Sequence, residues 1–129
     1  MDAEDESDLQ ILGVDHVGVA VADLDQAVAF YRDVLGLRAV HREENSGQDV
    51  IEVMLTASAV PLAGDTRRTE IQLIAPLSSD SVLRRFLDRS GPGIQHLAYT
   101  VRDIGHATGV LQGKGVRLLY DSARTGTRG

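Results

Sequence analysis

A ten-residue stretch, DHVGVAVADL at residues 15–24, decides the fold because it occurs twice. It returns as QHLAYTVRDI at residues 95–104, which puts the two histidines, His16 and His96, 80 residues apart. Each copy is a short apolar run with a histidine near its start and an aspartate near its end, followed by a helix-like segment. Self-similarity at a fixed offset indicates two copies of one supersecondary unit. If the copies pack about a pseudo-twofold axis, both histidines can face one shared pocket.

The patterns around the two copies predict alternating strands and helices. Residues 13–21 alternate as a strand does, and Asp23 with Gln26 forms a capping box for a helix that Gly36 ends. The remaining predicted elements are strands at residues 37–43, 49–56, 69–75, 94–101 and 116–120, and helices at residues 80–89 and after Asp103. The first copy therefore reads β-α-β-β-β, whereas the second reads only β-α-β and is short by about two strands.

Composition limits the class of protein. A chain of 129 residues with 43% hydrophobic and 25% charged residues is typical of one soluble domain. No apolar run approaches the ~20 residues that span a bilayer, so no membrane partner is expected. The net charge of −6 argues against nucleic-acid binding. The sequence contains no cysteine, which excludes disulfides and thiolate metal sites and fits a reducing compartment, so we expect a cytoplasmic protein.

The first eight residues differ from the rest of the sequence. Five acidic residues fall within residues 1–8, without the basic start or apolar stretch of a secretion signal. We therefore predict a disordered acidic tail at residues 1–8 and a single domain at residues 9–129.

Four predicted strands each place one polar side chain among apolar neighbours: His16, Glu52, Gln72 and His96. A buried polar group costs about 1–3 kcal/mol unless a partner satisfies it. A divalent cation would satisfy all four, and imidazole nitrogens with amide or carboxylate oxygens suit cobalt, manganese, nickel, zinc or magnesium.

Each of these residues also has an ordinary structural interpretation. A single strand histidine is more often a hydrogen-bonded core or surface residue than a ligand, and Gln72 can be a half-exposed strand residue. Glu52 can face solvent while its neighbours Ile51 and Val53 pack inward, because alternation alone does not say which face of a strand is inside.

Several segments resemble the methylmalonyl-CoA epimerase family of the vicinal-oxygen-chelate superfamily, which also contains glyoxalase I. The segments are DHV at 15–17, FYRDVLG at 30–36, HREEN at 41–45, IEVM at 51–54, IQLIAPL at 71–77, QHLA at 95–98 and GVRLLYD at 115–121. The resemblance runs from about residue 9 to residue 129. It implies an α+β fold of two β-α-β-β-β modules, at about residues 9–90 and 94–129, that form a curved mixed sheet around a metal pocket. The second module lacks its last strands, and a homodimer is expected.

The resemblance also implies a site and a reaction. His16, Gln72 and His96 match the family's metal ligands, with cobalt as the expected ion and manganese, nickel, zinc or magnesium as alternatives. Glu52 matches one of two catalytic glutamates. The other glutamate is also the fourth ligand and belongs to a last strand that this sequence does not contain. We expect that the sequence given stops before this strand, and the alternative is a truncated chain.

The implied reaction interconverts the two epimers of methylmalonyl-CoA by removing the α-proton through a metal-stabilised enolate. Two other functions remain open at this point. One is a glyoxalase-like metal-dependent lyase, and the other is a metal-free protein of the same fold that binds a small molecule.

Overall fold

The computed structural model describes residues 8–59, 63 and 68–119. In these residues eight elements follow one another: β1 (Ile11–Ala20), α1 (Leu24–Asp33), β2 (Arg38–Asn45), β3 (Val50–Thr56), β4 (Glu70–Pro76), α2 (Val82–Ser90), β5 (Gly93–Val101) and α3 (Ile104–Gly113). The predicted acidic tail lies outside the described residues except for Asp8. No helix in the described ranges is long and apolar enough to cross a membrane.

The strands form one five-stranded sheet with the order β2-β3-β4-β1-β5. The β2–β3 and β3–β4 pairs are antiparallel, whereas β1 runs parallel to β4. The predicted α+β class and mixed sheet are therefore confirmed. Paired residues project their side chains to the same face of a sheet. The register places Gln72 of β4 between Gly18 of β1 and Met54 of β3, so these three residues share one face.

The chain divides by its internal contacts into two units. The larger unit comprises Val14–Ala98 and contains all four residues that the sequence singles out. The smaller unit comprises the residues before Val14 and after Ala98, and within it Nε2 of His106 lies 3.1 Å from the carbonyl oxygen of Asp8. The expected single domain at residues 9–129 stays a prediction.

Apolar side chains cover both faces of the central strands in the larger unit. One face packs against α1 through a cluster of Val19, Val21, Leu24, Val53, Leu55, Leu73 and Ala75. On the other face, Ala20, Val50 and Ile74 pack against Leu83 and Leu87 of α2.

The predicted helix caps are confirmed in both copies of the repeat. The carboxylate of Asp23 accepts a hydrogen bond from the backbone N–H of Gln26 at 3.0 Å, and Asp103 accepts one from His106 at 2.9 Å. The second helix starts later than expected, at Val82, because the buried hydroxyl of Ser81 caps the N–H of Leu83 at 3.1 Å.

One predicted strand is wrong over its described part. Residues 116–119 form no strand, and Tyr120 lies outside the described residues. The N–H of Val116 donates to the carbonyl of Leu111 at 3.0 Å, which closes the end of α3 after Gly115 turns the chain with φ +77°. In the first copy the segment after the helix becomes β2 because β3 pairs with it. After α3 the described residues contain no such partner strand.

Candidate active site

The structure brings together the two histidines of the repeat. His16 lies on β1 and His96 on β5, and their Nε2 atoms are 3.3 Å apart. The two imidazole planes meet at 89°, with ring centroids 5.4 Å apart. Residues that are 80 positions apart in the sequence therefore point the same ring nitrogen at one spot.

Gly18 makes this approach possible. A Cβ atom on Gly18 would overlap the ring of His96, with Cε1 and Nδ1 as its nearest neighbours. Gly18 is itself buried, so the ring of His96 lies directly over its backbone. A side chain at position 18 would therefore push the imidazole away from His16.

Each histidine is oriented by the residue that precedes it. Nδ1 of His16 lies 2.8 Å from Oδ2 of Asp15, and Nδ1 of His96 lies 2.5 Å from Oε1 of Gln95. Sequence reasoning missed both partners. The available signal was that the same position before each histidine holds a side chain with a hydrogen-bond acceptor.

Glu52 and Gln72 form a second buried pair. Glu52 is 3% exposed and Gln72 is 5% exposed. Nε2 of Gln72 donates a hydrogen bond to Oε2 of Glu52. The interpretation that Glu52 faces solvent is therefore wrong. Val53 and Leu55 are buried as well, because β3 is covered on both of its faces.

The two pairs lie on the same face of the sheet. Gly18, which supports the ring of His96, is the β1 neighbour of Gln72 in the register of β1 and β4. Among the described residues, no group of three or more His, Cys, Asp or Glu side chains is placed to hold a metal ion. A cation site on this face would therefore need another kind of donor, such as the amide oxygen of Gln72.

The imidazole of His96 is suited to serve as a ligand. Burial lowers the pKa of His96 below its ordinary value, and the neighbouring His16 lowers that pKa further. The neutral form of an imidazole is the one that binds a metal. Ligand nitrogens at about 2.1 Å from one ion are separated by roughly 3.0–3.4 Å, depending on the angle between them. The observed 3.3 Å between the Nε2 atoms fits a shared ion.

Comparisons with known proteins agree with the fold described above. A Mycobacterium tuberculosis methylmalonyl-CoA epimerase of known structure is 46% identical, with a TM-score of 0.79 over 91% of this chain and 73% of that chain. A Streptomyces coelicolor methylmalonyl-CoA epimerase variant, solved with 2-nitronate-propionyl-CoA, is 36% identical, with a TM-score of 0.82 over 92% and 80% of the two chains.

Sequence relatives give the same result. The mitochondrial methylmalonyl-CoA epimerase of Mus musculus is 35% identical over 90% of this chain, which spans 61% of the mouse protein. Residues 15–129 match the family described as the glyoxalase/bleomycin resistance protein/dioxygenase superfamily. The repeated strand-helix unit, the mixed sheet and these matches show that the chain belongs to this superfamily.

Proposed function

We propose that the protein is a methylmalonyl-CoA epimerase that uses a divalent metal ion held by His16, Gln72 and His96. The observation that carries the proposal is the arrangement of these residues. Two imidazoles with facing Nε2 atoms share a sheet face with a buried carboxylate that is hydrogen-bonded to Gln72. Relatives that are 35–46% identical act on this thioester by name, and one binds a nitronate analogue of propionyl-CoA.

The chemistry of the substrate explains why such a site is needed. The α-carbon of methylmalonyl-CoA lies between a thioester and a carboxylate, and inversion requires that its proton be removed. The electron pair left behind moves onto the thioester oxygen as an enolate. A divalent metal, when bound, supplies positive charge near that oxygen.

Glu52 is the proposed base. Its carboxylate is buried and held by the amide of Gln72, so it has a defined position from which to take the α-proton. A well-placed acid–base group typically contributes about 10²–10⁴-fold to a rate. Inversion also requires a proton donor on the opposite face of the α-carbon, so proton exchange and inversion are separate observables.

Gln72 links the base to the proposed metal. An ionised carboxylate only accepts hydrogen bonds, so Glu52 orients the amide with its NH₂ group toward the carboxylate. The amide oxygen is then the end of the side chain that points elsewhere, and it is the only Gln72 side-chain atom suited to bind a hard cation.

The test is proton NMR of one methylmalonyl-CoA epimer in D₂O with the cobalt-loaded protein. We expect deuterium at the α-carbon together with inversion. Glu52→Gln should slow the exchange by about 10²–10⁴-fold, because the new amide can still accept a hydrogen bond from Gln72 but cannot take a proton. Glu44→Gln, on the exposed side of β2, is the matched control and should leave the exchange unchanged.

The outcomes of this test separate the functions that the sequence leaves open. No exchange from a folded, cobalt-loaded sample contradicts the proposal. Turnover of a hemithioacetal instead would identify a glyoxalase-like lyase, and failure to bind cobalt would point to a metal-free binding protein. Exchange without inversion would show that Glu52 works as a base while the opposing acid is absent.

We also propose a homodimer. Phe30, Val34 and Leu35, at and just beyond the end of α1, are all more than half exposed, and clustered exposed apolar side chains are common at subunit interfaces. Sedimentation equilibrium of the protein tests this directly, and a monomer at micromolar concentration would contradict it.

A further inference from the structure

The two histidines of the repeat have preceding residues of different chemistry. Asp15 and Gln95 occupy the same position in the two copies, and each contacts Nδ1 of the following imidazole, at 2.8 Å and 2.5 Å. A carboxylate can only accept a hydrogen bond, whereas an amide can accept through its oxygen or donate through its nitrogen. The two histidines are therefore held under different constraints.

The constraint on His16 allows one neutral tautomer. Because the carboxylate of Asp15 only accepts, Nδ1 of His16 must carry the hydrogen. Nε2 of His16 is then always the bare nitrogen, with its lone pair directed at His96. This is the form that a metal requires.

The constraint on His96 allows both tautomers. When Oε1 of Gln95 faces Nδ1, that nitrogen carries the hydrogen and Nε2 is bare. If the amide turns by 180°, its NH₂ group donates to Nδ1, and Nε2 carries the hydrogen instead. The structure shows the first arrangement, which is the form that a cation requires, and the amide of Gln95 can form the second because it also carries a donor.

The 3.3 Å separation between the Nε2 atoms selects a tautomer according to whether a cation is present. Without a cation, two bare nitrogens at this distance repel each other, and an N–H of His96 donating to Nε2 of His16 removes the repulsion. With a cation, both lone pairs are needed, and His96 must carry its hydrogen on Nδ1. The ring stays neutral throughout, because one proton leaves Nε2 for solvent and one reaches Nδ1 from it.

We propose that Gln95 is a positioning residue that lets His96 exchange tautomers as a divalent cation binds, while Asp15 keeps His16 in the binding form. This inference rests on the proposed metal site. It adds an explanation of how the two Nε2 atoms stay close together when no metal is bound. Gly18 contributes by keeping the ring of His96 over the sheet, within reach of both Gln95 and His16.

The test is nitrogen-15 NMR of the histidine rings at pH 8, first in the metal-free protein and then with zinc, which is diamagnetic. The four histidines of the sequence include an internal reference. Nε2 of His41 lies 3.1 Å from a carboxylate oxygen of Glu43, so His41 must carry its hydrogen on Nε2 in both samples. Single His→Gln variants assign the four pairs of ring-nitrogen signals.

We expect His16 to carry its hydrogen on Nδ1 in both samples. His96 should change from Nε2–H in the metal-free protein to Nδ1–H with zinc. Finding Nδ1–H on His96 in the metal-free protein would overturn the inference. If zinc binds, as calorimetry can show, but leaves the tautomer of His96 unchanged, the switch fails while the metal site stands. If zinc shifts the ring-nitrogen signals of neither His16 nor His96, the metal site and the switch both fail.

Two variants sharpen the result. Gln95→Glu leaves only an acceptor beside Nδ1 and should lock His96 in the Nδ1–H form before zinc is added. Asp15→Asn gives His16 the same freedom and should produce a mixture of its tautomers in the metal-free protein. Gln95→Met, which keeps the length but removes the hydrogen bond, should weaken zinc binding about tenfold. Unchanged tautomers in Gln95→Glu and Asp15→Asn would contradict the assigned roles.

Discussion

The two faces of β3 and β4 bury very different side chains. Toward α1, Val53, Leu55 and Leu73 form an apolar cluster in which Leu55 and Leu73 have no exposed surface. Toward the other side, Glu52 and Gln72 are buried almost as completely, although both are polar. Adjacent residues of one strand thus lie in different surroundings, because side chains alternate between the two faces of a sheet. The apolar face stabilises the fold, and the polar pair on the other face belongs to the proposed site.

The largest effect should come from the apolar face. Leu73→Ala removes a fully buried side chain and leaves a cavity, so the free energy of unfolding should fall by about 2–5 kcal/mol. Urea denaturation followed by circular dichroism measures this. Ile71→Val, at a half-buried position on the same face, is the milder comparison and should cost about 0.5–1.5 kcal/mol. Equal losses would mean that the cluster is not the centre of the core.

A different kind of effect is expected at Gly18. In Gly18→Ala the new methyl group would displace the ring of His96, while the backbone itself can accept alanine. We expect zinc or cobalt affinity to fall by about 10–100-fold, as for the loss of other groups that orient a ligand, with little change in stability. Calorimetric titration gives the affinity.

The matched control for this variant is Gly109→Ala on α3, where a Cβ would meet no atom within 4 Å. That change should leave the affinity intact and add about 0.5–1 kcal/mol of helix stability. A metal affinity in Gly18→Ala equal to that of the parent protein would show that the position of His96 over Gly18 does not matter for binding.

Replacing one member of the Glu52–Gln72 pair should lower the free energy of unfolding, whereas replacing both should restore it. Gln72→Met leaves the buried carboxylate of Glu52 without its amide donor and should cost about 1–3 kcal/mol. In Glu52→Met/Gln72→Met both polar groups are gone, so the free energy of unfolding should return to within about 1 kcal/mol of the parent value or exceed it. A double variant less stable than the single one would mean that the pair supports the fold.

The smallest effect is a pH dependence of the metal-free protein. Because burial and His16 lower the pKa of His96 in the folded state, the unfolded chain binds its proton more readily. Stability due to neutral His96 is therefore present above the ordinary pKa of 6.5 and is lost as the pH falls below it. Urea midpoints at pH 7.5 and 5.5 in a chelator should differ in this sense. His96→Gln should make the difference smaller, and an unchanged difference would assign it to other groups.

The elements that the sequence predicted well have strong local signals. Asp23 and Asp103 each cap the helix that follows them, as the pattern predicts. The alternating residues of β1 and β5 form strands. The strand expected at residues 116–119 failed because a strand also needs a neighbour, which local alternation does not supply. Phe30 of α1 is exposed, because Leu24, Ala27, Val28 and Tyr31 form the stripe that packs on the sheet.

The sequence by itself determined the repeat, the order of the elements from β1 to α3 and the four polar strand residues, because repetition and alternation are properties of the chain alone. Only the tertiary structure decided that Glu52 is buried. Because β3 is covered on both faces, the alternation of its residues does not indicate which side chains are buried. Only the structure also revealed Asp15, Gly18 and Gln95. Their importance comes from where the ring of His96 lies. That position depends on two neighbouring strands whose histidines are 80 positions apart in the sequence.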